Sequence, residues 1–448
     1  MAPARFGTDG VRGVANEELT AELALALGRA AARILPAPAF VVGRDTRRSG
    51  PLLQAAFSAG LAAEGADVID LGVLPTPGVA AVAERRGVPG AVISASHNPF
   101  GDNGIKLFSL LGTKLPTDVE GEIERELEAV LADPERPPRR PTGLGVGVIS
   151  RSPDAATLYA AHLVGTIEGR RLDGLRVVLD CGHGAASAIA PEVFSSLGAQ
   201  VTVLHDEPDG SNINDRCGST DPSLLAQVVV QQEADLGLAF DGDADRVIAV
   251  DHEGTIVDGD VLLALFALDL AGRGRLRGNT VAVTVMTNLG FRLAMEARGI
   301  EVRETDVGDR HVLAALDADG LTLGGEQSGH IIFRSLSTTG DGILTGIALA
   351  DLVLRSERTL VELADGLVER VPQRLVNVPI AQPERLADSA VVWEAVVKAE
   401  AELGHEGRVL LRPSGTEPIV RVMVEARLET QADAVAAELA AVVVEALG

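Results

Sequence analysis

The sequence predicts an α/β protein: three related α/β domains with mixed or parallel sheets, followed by a C-terminal α+β domain, around a central cleft. Three observations favour this class. A strand–loop–helix–strand pattern occurs three times, a glycine follows each of those helices, and the C-terminal part has strands and a helix without that spacing. The 448 residues are enough for about three or four domains.

The first unit begins with an apolar strand at Phe40–Gly43, which a polar loop connects to a helix at Pro51–Glu64. Gly65 is expected to end this helix in a left-handed conformation, before a second strand at Asp67–Leu71. Prolines and glycines then concentrate in residues 133–147, which marks a domain boundary.

The next two units repeat this order, and the last part of the chain departs from it. The second unit has Arg176–Asp180, a helix to Leu197, Gly198 and Gln200–Leu204, and the third has Thr280–Val285, Leu289–Arg298, Gly299 and Glu301–Thr305. The remaining part has strands at Arg374–Ile380, Arg408–Leu411 and Ile419–Arg427 and a helix at Thr430–Leu447. We therefore expect domains at 1–150, 151–255, 256–370 and 371–448. Within the first, Thr117 and Glu120 have the spacing of a capping box.

Composition excludes several classes of function. The net charge is 39 − 64 = −25, which disfavours binding to nucleic acid or anionic lipid, and only 3% of residues are aromatic, too few for a base-stacking surface. Two cysteines do not make a disulfide framework, and a reduced cytoplasmic location fits them. The longest apolar run, 261–268, is far shorter than the ~20 residues that span a bilayer, so we expect no membrane association.

The first polar motif is Ser94-Ala-Ser-His-Asn-Pro99, which follows the apolar strand Gly90–Ile93. The hydroxyl of Ser96 beside His97, at the end of a buried strand, stands where α/β folds bind ligands. A polar turn, in which serine, asparagine and proline only shape the backbone, is the alternative.

The second motif is Asp241-Gly-Asp-Ala-Asp-Arg246, after another apolar strand. In extended backbone, Asp241, Asp243 and Asp245 would share one face, and three such carboxylates repel one another unless a cation neutralises them. A hard divalent ion such as Mg²⁺ fits an all-oxygen site. An EF-hand is excluded because its sixth and twelfth positions would be arginine and histidine, and a solvated acidic turn is the other alternative.

Two further motifs favour anion and hydroxyl binding. Arg412-Pro-Ser-Gly-Thr-Glu-Pro418 joins backbone N–H groups, two hydroxyls and Arg412 in one loop, and Arg421 is close enough in sequence to complete an anion cradle. A purely structural loop is the alternative. In Gly324-Gly-Glu-Gln-Ser-Gly-His330, alternate residues would share one face of an extended segment and could bind sugar hydroxyls.

A different class of enzyme is suggested by Gly182-His-Gly-Ala-Ala-Ser187. This segment follows a strand and precedes a helix, and Asp206 lies near the end of the next strand, which approximates a dinucleotide-binding fingerprint. Serine stands at the third position of that fingerprint, and no set of residues suited to hydride transfer accompanies it. We therefore interpret these glycines as a tight strand-to-helix turn. A P-loop motif is absent from the sequence.

Together, the four motifs resemble the α-D-phosphohexomutase superfamily, in its order and spacing, over essentially the whole chain. Phe6-Gly-Thr-Asp-Gly-Val-Arg-Gly13, Thr305-Asp-Val-Gly-Asp-Arg310 and the 324–330 motif look like those of phosphoglucosamine mutases. His311 departs from that pattern, where tyrosine is frequent. The resemblance implies an isomerase that interconverts glucosamine 6-phosphate and glucosamine 1-phosphate for UDP-N-acetylglucosamine synthesis. A phosphomannomutase or phosphoglucomutase with the same mechanism is the alternative.

The resemblance also implies roles for individual residues. Ser96 would carry the transferable phosphoryl group, and Asp241, Asp243 and Asp245 would hold one Mg²⁺ per subunit together with a phosphoserine oxygen. Glucosamine 1,6-bisphosphate would be the intermediate and activator. The remaining catalytic residues would be Arg12, His97, Lys106, Arg246 and His330, and the substrate-binding residues Arg310, Glu326, Ser328, Arg412, Ser414, Gly415, Thr416 and Arg421. The expected partner is a small phosphosugar, and the oligomeric state is open, a homodimer included.

Overall fold

The computed structural model describes residues 6–7, 10–135, 140–414 and 418–448. The chain forms two compact units, one of residues 1–285 and 303–365, the other of residues 286–302 and 366–448. The larger unit contains a seven-stranded sheet, a five-stranded sheet and most of a four-stranded sheet, and the smaller unit contains a three-stranded sheet.

The seven-stranded sheet has the order β1-β2-β6-β5-β3-β4-β7. Its strands are β1 Phe6–Gly7, β2 Gly10–Val14, β3 Ala39–Arg44, β4 Asp67–Val73, β5 Gly90–Ile93, β6 Asp102–Phe108 and β7 Ile149–Arg151. Its helices are α1 Ala21–Ile34, α2 Gly50–Ala63, α3 Thr76–Arg86 and α4 Thr117–Ala132. Strand β3 is parallel to β4 and β5, whereas β6 is antiparallel to β5 and β2. The sheet is therefore mixed, as expected.

The five-stranded sheet has the order β12-β11-β10-β8-β9. Its elements are β8 Arg176–Asp180, β9 Gln200–Leu204, β10 Leu236–Phe240, β11 Val247–Asp251 and β12 Ile256–Val257, with helices α5 Ala155–Gly165, α6 Ala186–Ser196 and α7 Ser223–Gln231. Strands β8, β9 and β10 are parallel, and β10 is buried at all five positions. The parallel strands end at one edge, where a loop after β10 meets the loops after β8 and β9.

The four-stranded sheet has the order β14-β13-β15-β16. Its strands are β13 Thr280–Thr284, β14 Glu301–Thr305, β15 Leu323–Gly325 and β16 Ile331–Phe333, and the helices of this part of the chain are α8 Gly259–Gly272, α9 Leu289–Glu296, α10 Asp309–Asp319, α11 Gly342–Ser356 and α12 Leu360–Ala364. Strands β15 and β16 form an antiparallel hairpin beside β13.

In the smaller unit, the antiparallel sheet has the order β17-β19-β18. Its strands are β17 Gln373–Pro379, β18 Arg408–Pro413 and β19 Ile419–Glu425, with helices α13 Ala390–Leu403 and α14 Glu429–Leu447. Buried Glu425 accepts from the Asn288 side chain (3.0 Å) and from the Leu289 N–H, which binds the start of α9 to this sheet. The α+β class predicted for this part of the chain is confirmed.

The three predicted strand–helix–strand units are confirmed, with element ends within two residues of those expected. Gly65, Gly198 and Gly299 all have positive φ, at +97°, +100° and +68°, as predicted for residues that follow a helix. The predicted capping box is wrong. Thr117 is already the first helical residue of α4, Pro116 occupies the cap position, and no side chain caps the helix there.

No helix among the described residues is long and apolar enough to cross a membrane.

Candidate active site

Two loops at the carboxyl ends of buried strands form the centre of the site. We call residues 94–99, after β5, the serine loop, and residues 241–246, after β10, the aspartate loop. Ser96 is 1% exposed, and its Oγ donates a hydrogen bond of 2.6 Å to Asp241 Oδ2. Ligands of α/β proteins bind at this end of parallel strands. The structure therefore joins the candidate nucleophile to the candidate metal ligands.

Ser96 has a conformation that few non-glycine residues adopt. Its φ is +51°, in the left-handed region, and its N–H donates to Ser94 Oγ at 2.9 Å. Ser94 Oγ in turn donates to Asp45 Oδ2 at 2.7 Å. Strained backbone of this kind persists only where its surroundings determine it, and it concentrates at functional sites. A turn that only shapes the backbone would not need a buried serine here.

Arg47 binds the backbone of the serine loop, although no sequence motif indicates this role. Its side chain is fully buried, and its Nε donates to Asp45 Oδ2 at 2.9 Å. The guanidinium also donates to four backbone carbonyl oxygens, those of Ser96 (2.8 Å), Asn98 (2.8 Å), Pro99 and Asp102 (3.1 Å). Asn214 Nδ2 adds hydrogen bonds to the carbonyls of Ser96 (2.9 Å) and Asn98 (3.1 Å). Two side chains from elsewhere in the sequence thus fix the backbone that presents Ser96.

The aspartate loop brings its three carboxylates within 4.8 Å of one another, as predicted, but not for the predicted reason. The backbone is a turn with Ala244 at φ +58°, not an extended segment. Burial, followed by the charges of Asp245 and Asp243, raises the pKa of Asp241 well above its usual range. Burial would do the same to Asp245, but Lys106 and His330 hold the pKa of that carboxyl well below its usual range.

Two neighbours determine how the aspartate loop lies. Lys106 Nζ, on β6, lies 3.2 Å from Asp243 Oδ2 and 3.5 Å from Asp245 Oδ2. Thr76, the first residue of α3, donates from its Oγ1 to Asp243 Oδ2 (2.6 Å) and from its N–H to the Asp243 carbonyl (2.9 Å). Asp243 therefore caps the start of α3, where a negative charge is favourable.

The donor set fits a divalent cation. Asp243 Oδ1 and Asp245 Oδ1 are buried and have no hydrogen-bond partner within the described parts of the chain. Such buried carboxylate oxygens cost free energy unless a cation or a donor satisfies them. All the donors are oxygens, which hard ions such as Mg²⁺ prefer. The three aspartates could therefore hold a metal.

Two arginines act on His97, the residue next to Ser96. Arg246 Nη1 lies 3.2 Å from His97 Nδ1, and the backbone N–H of Arg246 donates to Asp241 Oδ1 at 3.2 Å. Arg12, on β2, is opposite Gly104 on β6, so it shares a face of the sheet with Lys106. Burial and the charges of Arg246 and Arg12 lower the pKa of His97 to about 4. His97 is therefore a neutral ring that accepts from Arg246, not a cation.

His330 reaches the aspartate loop from the hairpin of β15 and β16. Its Nδ1 lies 3.7 Å from Asp245 Oδ1, and the Gly340 N–H donates to its Nε2 at 3.1 Å. Burial lowers the pKa of His330, but the charges of Asp245 and Asp309 outweigh it and raise the value to about 8. In the neutral ring Nε2 accepts from Gly340, and after protonation it faces Asp309 Oδ2 at 3.6 Å. The ring thus accepts a hydrogen bond when neutral and has carboxylates near both nitrogens when protonated, and its pKa lies near neutral pH, as suits an acid–base group.

The predicted extended backbone of the 324–330 motif is wrong. Residues 326–330 form the turn between β15 and β16, in which the Glu326 N–H donates to the His330 carbonyl at 3.0 Å. Glu326 Oε1 accepts from the Gly308 N–H at 3.2 Å, and burial raises the pKa of Glu326. Ser328 Oγ is buried without a hydrogen-bond partner among the residues described. The turn still brings Glu326 and His330 to one end of the sheet.

Arg310, on α10, contacts helix α4. Its Nη2 lies 3.0 Å from Glu120 Oε2 on α4, and next to it Asp309 pairs with Lys114 at 2.5 Å. These two ion pairs join α10 to α4 and to the residues just before it. The predicted role of Arg310 in substrate binding stays a prediction.

The predicted anion cradle in the smaller unit is described only in part, since Gly415 and Thr416 lie outside the described residues. Arg412 and Arg421 are directly opposite each other on β18 and β19. Burial and the charge of Arg421 lower the pKa of Arg412. Like charges directly opposite in a strand pair are unfavourable unless an anion lies between or beside them. The Ser414 N–H donates to the Ile419 carbonyl at 2.9 Å and closes the loop.

The dinucleotide interpretation of the turn at 182–187 has no support in the structure. A Cβ at Gly184 would lie 2.4 Å from the Gly242 carbonyl oxygen, so backbone already fills the space that a pyrophosphate would need. The Ala185 N–H donates to that same carbonyl at 2.8 Å. The glycines serve close packing of this turn against the aspartate loop.

Comparisons with known proteins show the family of the chain. The chain matches four models of the phosphoglucomutase/phosphomannomutase family: alpha/beta/alpha domain I over residues 3–132, domain II over 157–254, domain III over 258–371 and the C-terminal domain over 375–442. It is 52% identical to the phosphoglucosamine mutase of Corynebacterium jeikeium, over 98% of this chain and 99% of the relative. With that of Streptomyces coelicolor it shares 54% identity over 99% of each.

Solved structures show the same architecture. A phosphoglucomutase/phosphomannomutase family protein from Burkholderia thailandensis has a TM-score of 0.82 at 25% identity, over 100% of this chain and 98% of that one. The N-acetylphosphoglucosamine mutase of Aspergillus fumigatus, in complex with GlcNAc-6P and magnesium, has a TM-score of 0.67 at 18% identity, over 99% and 96%. The second likeness concerns the fold alone. From the family models and the full-length relatives, the chain belongs to the phosphoglucomutase/phosphomannomutase family, in the group of phosphoglucosamine mutases.

Proposed function

We propose that this chain interconverts glucosamine 6-phosphate and glucosamine 1-phosphate through a phosphorylated Ser96 and a bound glucosamine 1,6-bisphosphate. The observation that carries the proposal is the 2.6 Å hydrogen bond from Ser96 Oγ to Asp241, in a chain more than half identical to phosphoglucosamine mutases. A hydroxyl held against a cluster of metal-binding carboxylates is arranged for phosphoryl transfer.

The metal proposed for the aspartate loop is one Mg²⁺, held by Asp241, Asp243 and Asp245 and by an oxygen of phosphorylated Ser96. When bound, it would withdraw charge from the phosphoryl oxygens. The two buried oxygens without a partner, on Asp243 and Asp245, support this assignment. The magnesium in the Aspergillus structure is a property of that protein, and it makes Mg²⁺ the first ion to test.

The chemical step exchanges one oxygen–phosphorus bond for another. The sugar hydroxyl oxygen forms a new bond to phosphorus as the bond between phosphorus and Ser96 Oγ breaks. The hydroxyl proton passes to a base, and Ser96 Oγ takes a proton from an acid as it leaves. Lys106 and His330 are the proposed acid and base, because both lie at the aspartate loop and the pKa of His330 lies near neutral pH. The return half-reaction restores phosphorylated Ser96.

Fixed positive charge would stabilise the transferring group. Arg246 contacts His97, the neighbour of Ser96, and the charge of Arg12 acts on the same ring. Neither arginine needs to gain a proton during the reaction. Neutral His97 would position the serine loop by accepting from Arg246. Glu326, Ser328 and Arg310 are the proposed contacts to the sugar, and Arg412, Ser414, Gly415, Thr416 and Arg421 those to the phosphate that is not transferred.

A comparison of substrates tests this function. Turnover of the 6-phosphates of glucosamine, glucose and mannose should be measured with Mg²⁺ and a catalytic amount of the matching 1,6-bisphosphate. We expect the highest kcat/KM on the glucosamine compound. A preference for glucose or mannose phosphate would instead assign phosphoglucomutase or phosphomannomutase activity with the same mechanism, and no turnover of any of the three would contradict the proposal.

Replacing Gly340 by alanine should displace His330. A Cβ at Gly340 would lie 2.4 Å from His330 Nε2, so the ring must move from its place between Asp245 and Asp309. Because a misplacement of about 1 Å can cost ~10²-fold, we expect kcat to fall about 10²-fold. Gly101→Ala is the matched control, since no atom lies within 4 Å of a Cβ there. Equal kcat values for the two variants would contradict the role of His330.

Replacing Arg421 by alanine should weaken substrate binding without changing the metal site. One charge-assisted contact to phosphate is worth about 1.5–3 kcal/mol, so kcat/KM should fall about 10- to 150-fold. Mg²⁺ affinity, measured by calorimetry, should stay the same. Arg374→Ala is the control, because that side chain is 60% exposed on the same sheet. Loss of metal affinity with unchanged kcat/KM at saturating Mg²⁺ would show that Arg421 supports the aspartate loop instead.

A further inference from the structure

A second group of side chains that could bind a metal lies at the ends of β8 and β9. Asp180 ends β8, His205 follows β9, and Cys217 lies in the segment before α7. A carboxylate oxygen, an imidazole nitrogen and the thiol sulfur of these residues all lie within 4.8 Å of one another. The mechanism proposed above uses none of the three.

Two buried nitrogen atoms at this cluster lack hydrogen bonds. His205 Nδ1 lies 3.0 Å from Asp180 Oδ1, but the ring is not aligned for a hydrogen bond, and the atom has no other partner in the described part of the chain. His183 Nδ1 is also buried without such a partner, and its ring meets that of His205 edge-on, with centroids 5.1 Å apart. Buried nitrogen atoms without partners are unfavourable, which indicates that a ligand satisfies them.

The donors differ in kind from those of the aspartate loop. Sulfur, nitrogen and oxygen together suit a borderline ion such as Zn²⁺, whereas the all-oxygen aspartate loop suits Mg²⁺. Tetrahedral coordination with metal–ligand distances of about 2.0–2.3 Å places the ligand atoms about 3.3–3.8 Å apart. Small side-chain rotations would therefore bring these three atoms to the distances that a bound metal requires. Asp180 also accepts from the N–H groups of Gly182 (2.9 Å) and Gly218 (3.0 Å), the second contacts that ligating carboxylates usually have.

We propose that Asp180, His205 and Cys217 form a second metal site, which binds a thiophilic divalent ion of the Zn²⁺ class. The fourth position is left to water or to His183. Cys217 binds as the thiolate, so one proton is released when the ion binds. Burial and the charge of Asp180 raise the pKa of the free thiol to about 12, and the thiol is therefore protonated until a metal displaces the proton.

The site is connected to the serine loop by a short segment of chain. Asn214, three residues before Cys217, donates to the carbonyls of Ser96 and Asn98, and its own N–H donates to the Gly182 carbonyl at 3.0 Å. Cys217 lies three residues after Asn214, and Asp180 lies two residues before Gly182, so a metal bound to both would fix the backbone on each side of the Asn214–Gly182 hydrogen bond. Occupancy of the site should therefore rigidify the backbone that presents Ser96.

Cobalt substitution tests the proposal, because a Co²⁺–thiolate bond has a charge-transfer band in the near ultraviolet. The full-length protein is titrated with Co²⁺ in excess Mg²⁺, which occupies the aspartate loop. The chain has only two cysteines, so Cys181→Ser is a matched control for Cys217→Ser. We expect one equivalent of Co²⁺ with the band in the wild type and in Cys181→Ser, and no band in Cys217→Ser. Zn²⁺ should displace the Co²⁺ and remove the band.

His205→Gln provides a second variant, should Cys217→Ser not fold. Glutamine keeps a polar side chain at this position, which is 21% exposed, and we expect Co²⁺ affinity to fall at least about tenfold. The absence of a band in the wild type would overturn the proposal, as would a band that persists in Cys217→Ser or an unchanged affinity in His205→Gln. None of these results depends on mutase activity, so they are separate from tests of the proposed function.

Discussion

Replacing Ser96 by alanine is expected to lower kcat at least about 10⁴-fold while the protein remains folded. Every turnover in the proposed mechanism transfers the phosphoryl group to and from Ser96 Oγ. The mechanism has no other route for this transfer when the hydroxyl is absent. The side chain is small and its backbone is held by Arg47 and Asn214, so removal of one oxygen should leave the serine loop in place.

Ser94→Ala is the matched control for this experiment. Ser94 lies in the same loop, is also buried, and connects Asp45 to the Ser96 N–H, so its loss removes two hydrogen bonds but no nucleophile. At about 1 ± 0.5 kcal/mol per hydrogen bond, the effect should be closer to tenfold than to 10⁴-fold. Intact mass after exposure to glucosamine 1,6-bisphosphate should show one added phosphoryl group in Ser94→Ala and none in Ser96→Ala.

Near-normal turnover by a folded Ser96→Ala protein would contradict the proposed nucleophile. Phosphorylation at another residue, located by fragmenting the labelled protein, would assign the role elsewhere. Circular dichroism melting curves of both variants show whether a loss of activity is a loss of structure.

Much of the fold followed from local patterns. Strand β8 was predicted at its observed bounds, because a buried parallel strand is a short apolar run with clear polar ends. Helix ends were less accurate. The start of α4 was assigned a capping box, whereas Glu120 pairs with Arg310 from a distant part of the chain. Tertiary contacts of this kind compete with local capping, and local sequence does not encode them.

The candidate site was found through residue type rather than through backbone geometry. Asp241, Asp243 and Asp245 converge in a turn, and Glu326 and His330 flank a hairpin turn, although both segments were expected to be extended. Alternation in sequence predicts a shared face only for strands. The dense carboxylates of the aspartate loop and the serine beside a histidine were informative even so, because their chemistry does not depend on the turn type.

The residues that were missed reach the site from distant parts of the sequence. Thr76 contacts Asp243 across 167 positions of sequence, and Arg47 contacts the carbonyl of Ser96 across 49. A carbonyl acceptor has no residue identity, so no motif in the serine loop indicates that it needs a guanidinium. The segment Asp45-Thr-Arg47 directly follows β3 at the ligand-binding edge, and that position was the one available signal.

Replacing Arg47 by alanine should therefore destabilise the protein and disorder the serine loop together. Asp45 would keep a buried charge without its partner, a change that usually costs about 3–5 kcal/mol, and four carbonyl groups would lose their donor. Arg47→Lys keeps the charge, but an ammonium group cannot bind Asp45 and carbonyls on several sides at once. We expect the lysine variant to recover part of the stability and little of the activity.

Chemical denaturation gives the free energy of unfolding, and kcat is measured under conditions in which each variant is at least mostly folded. Arg48→Ala is the matched control, since this neighbouring side chain is exposed and should change stability by no more than about 0.5 kcal/mol. If Arg47→Lys has wild-type kcat and wild-type phosphorylation of Ser96, the guanidinium acts only on stability. If kcat falls in Arg47→Lys far more than the folded fraction does, then the hydrogen bonds to the serine loop carbonyls position Ser96 for phosphoryl transfer.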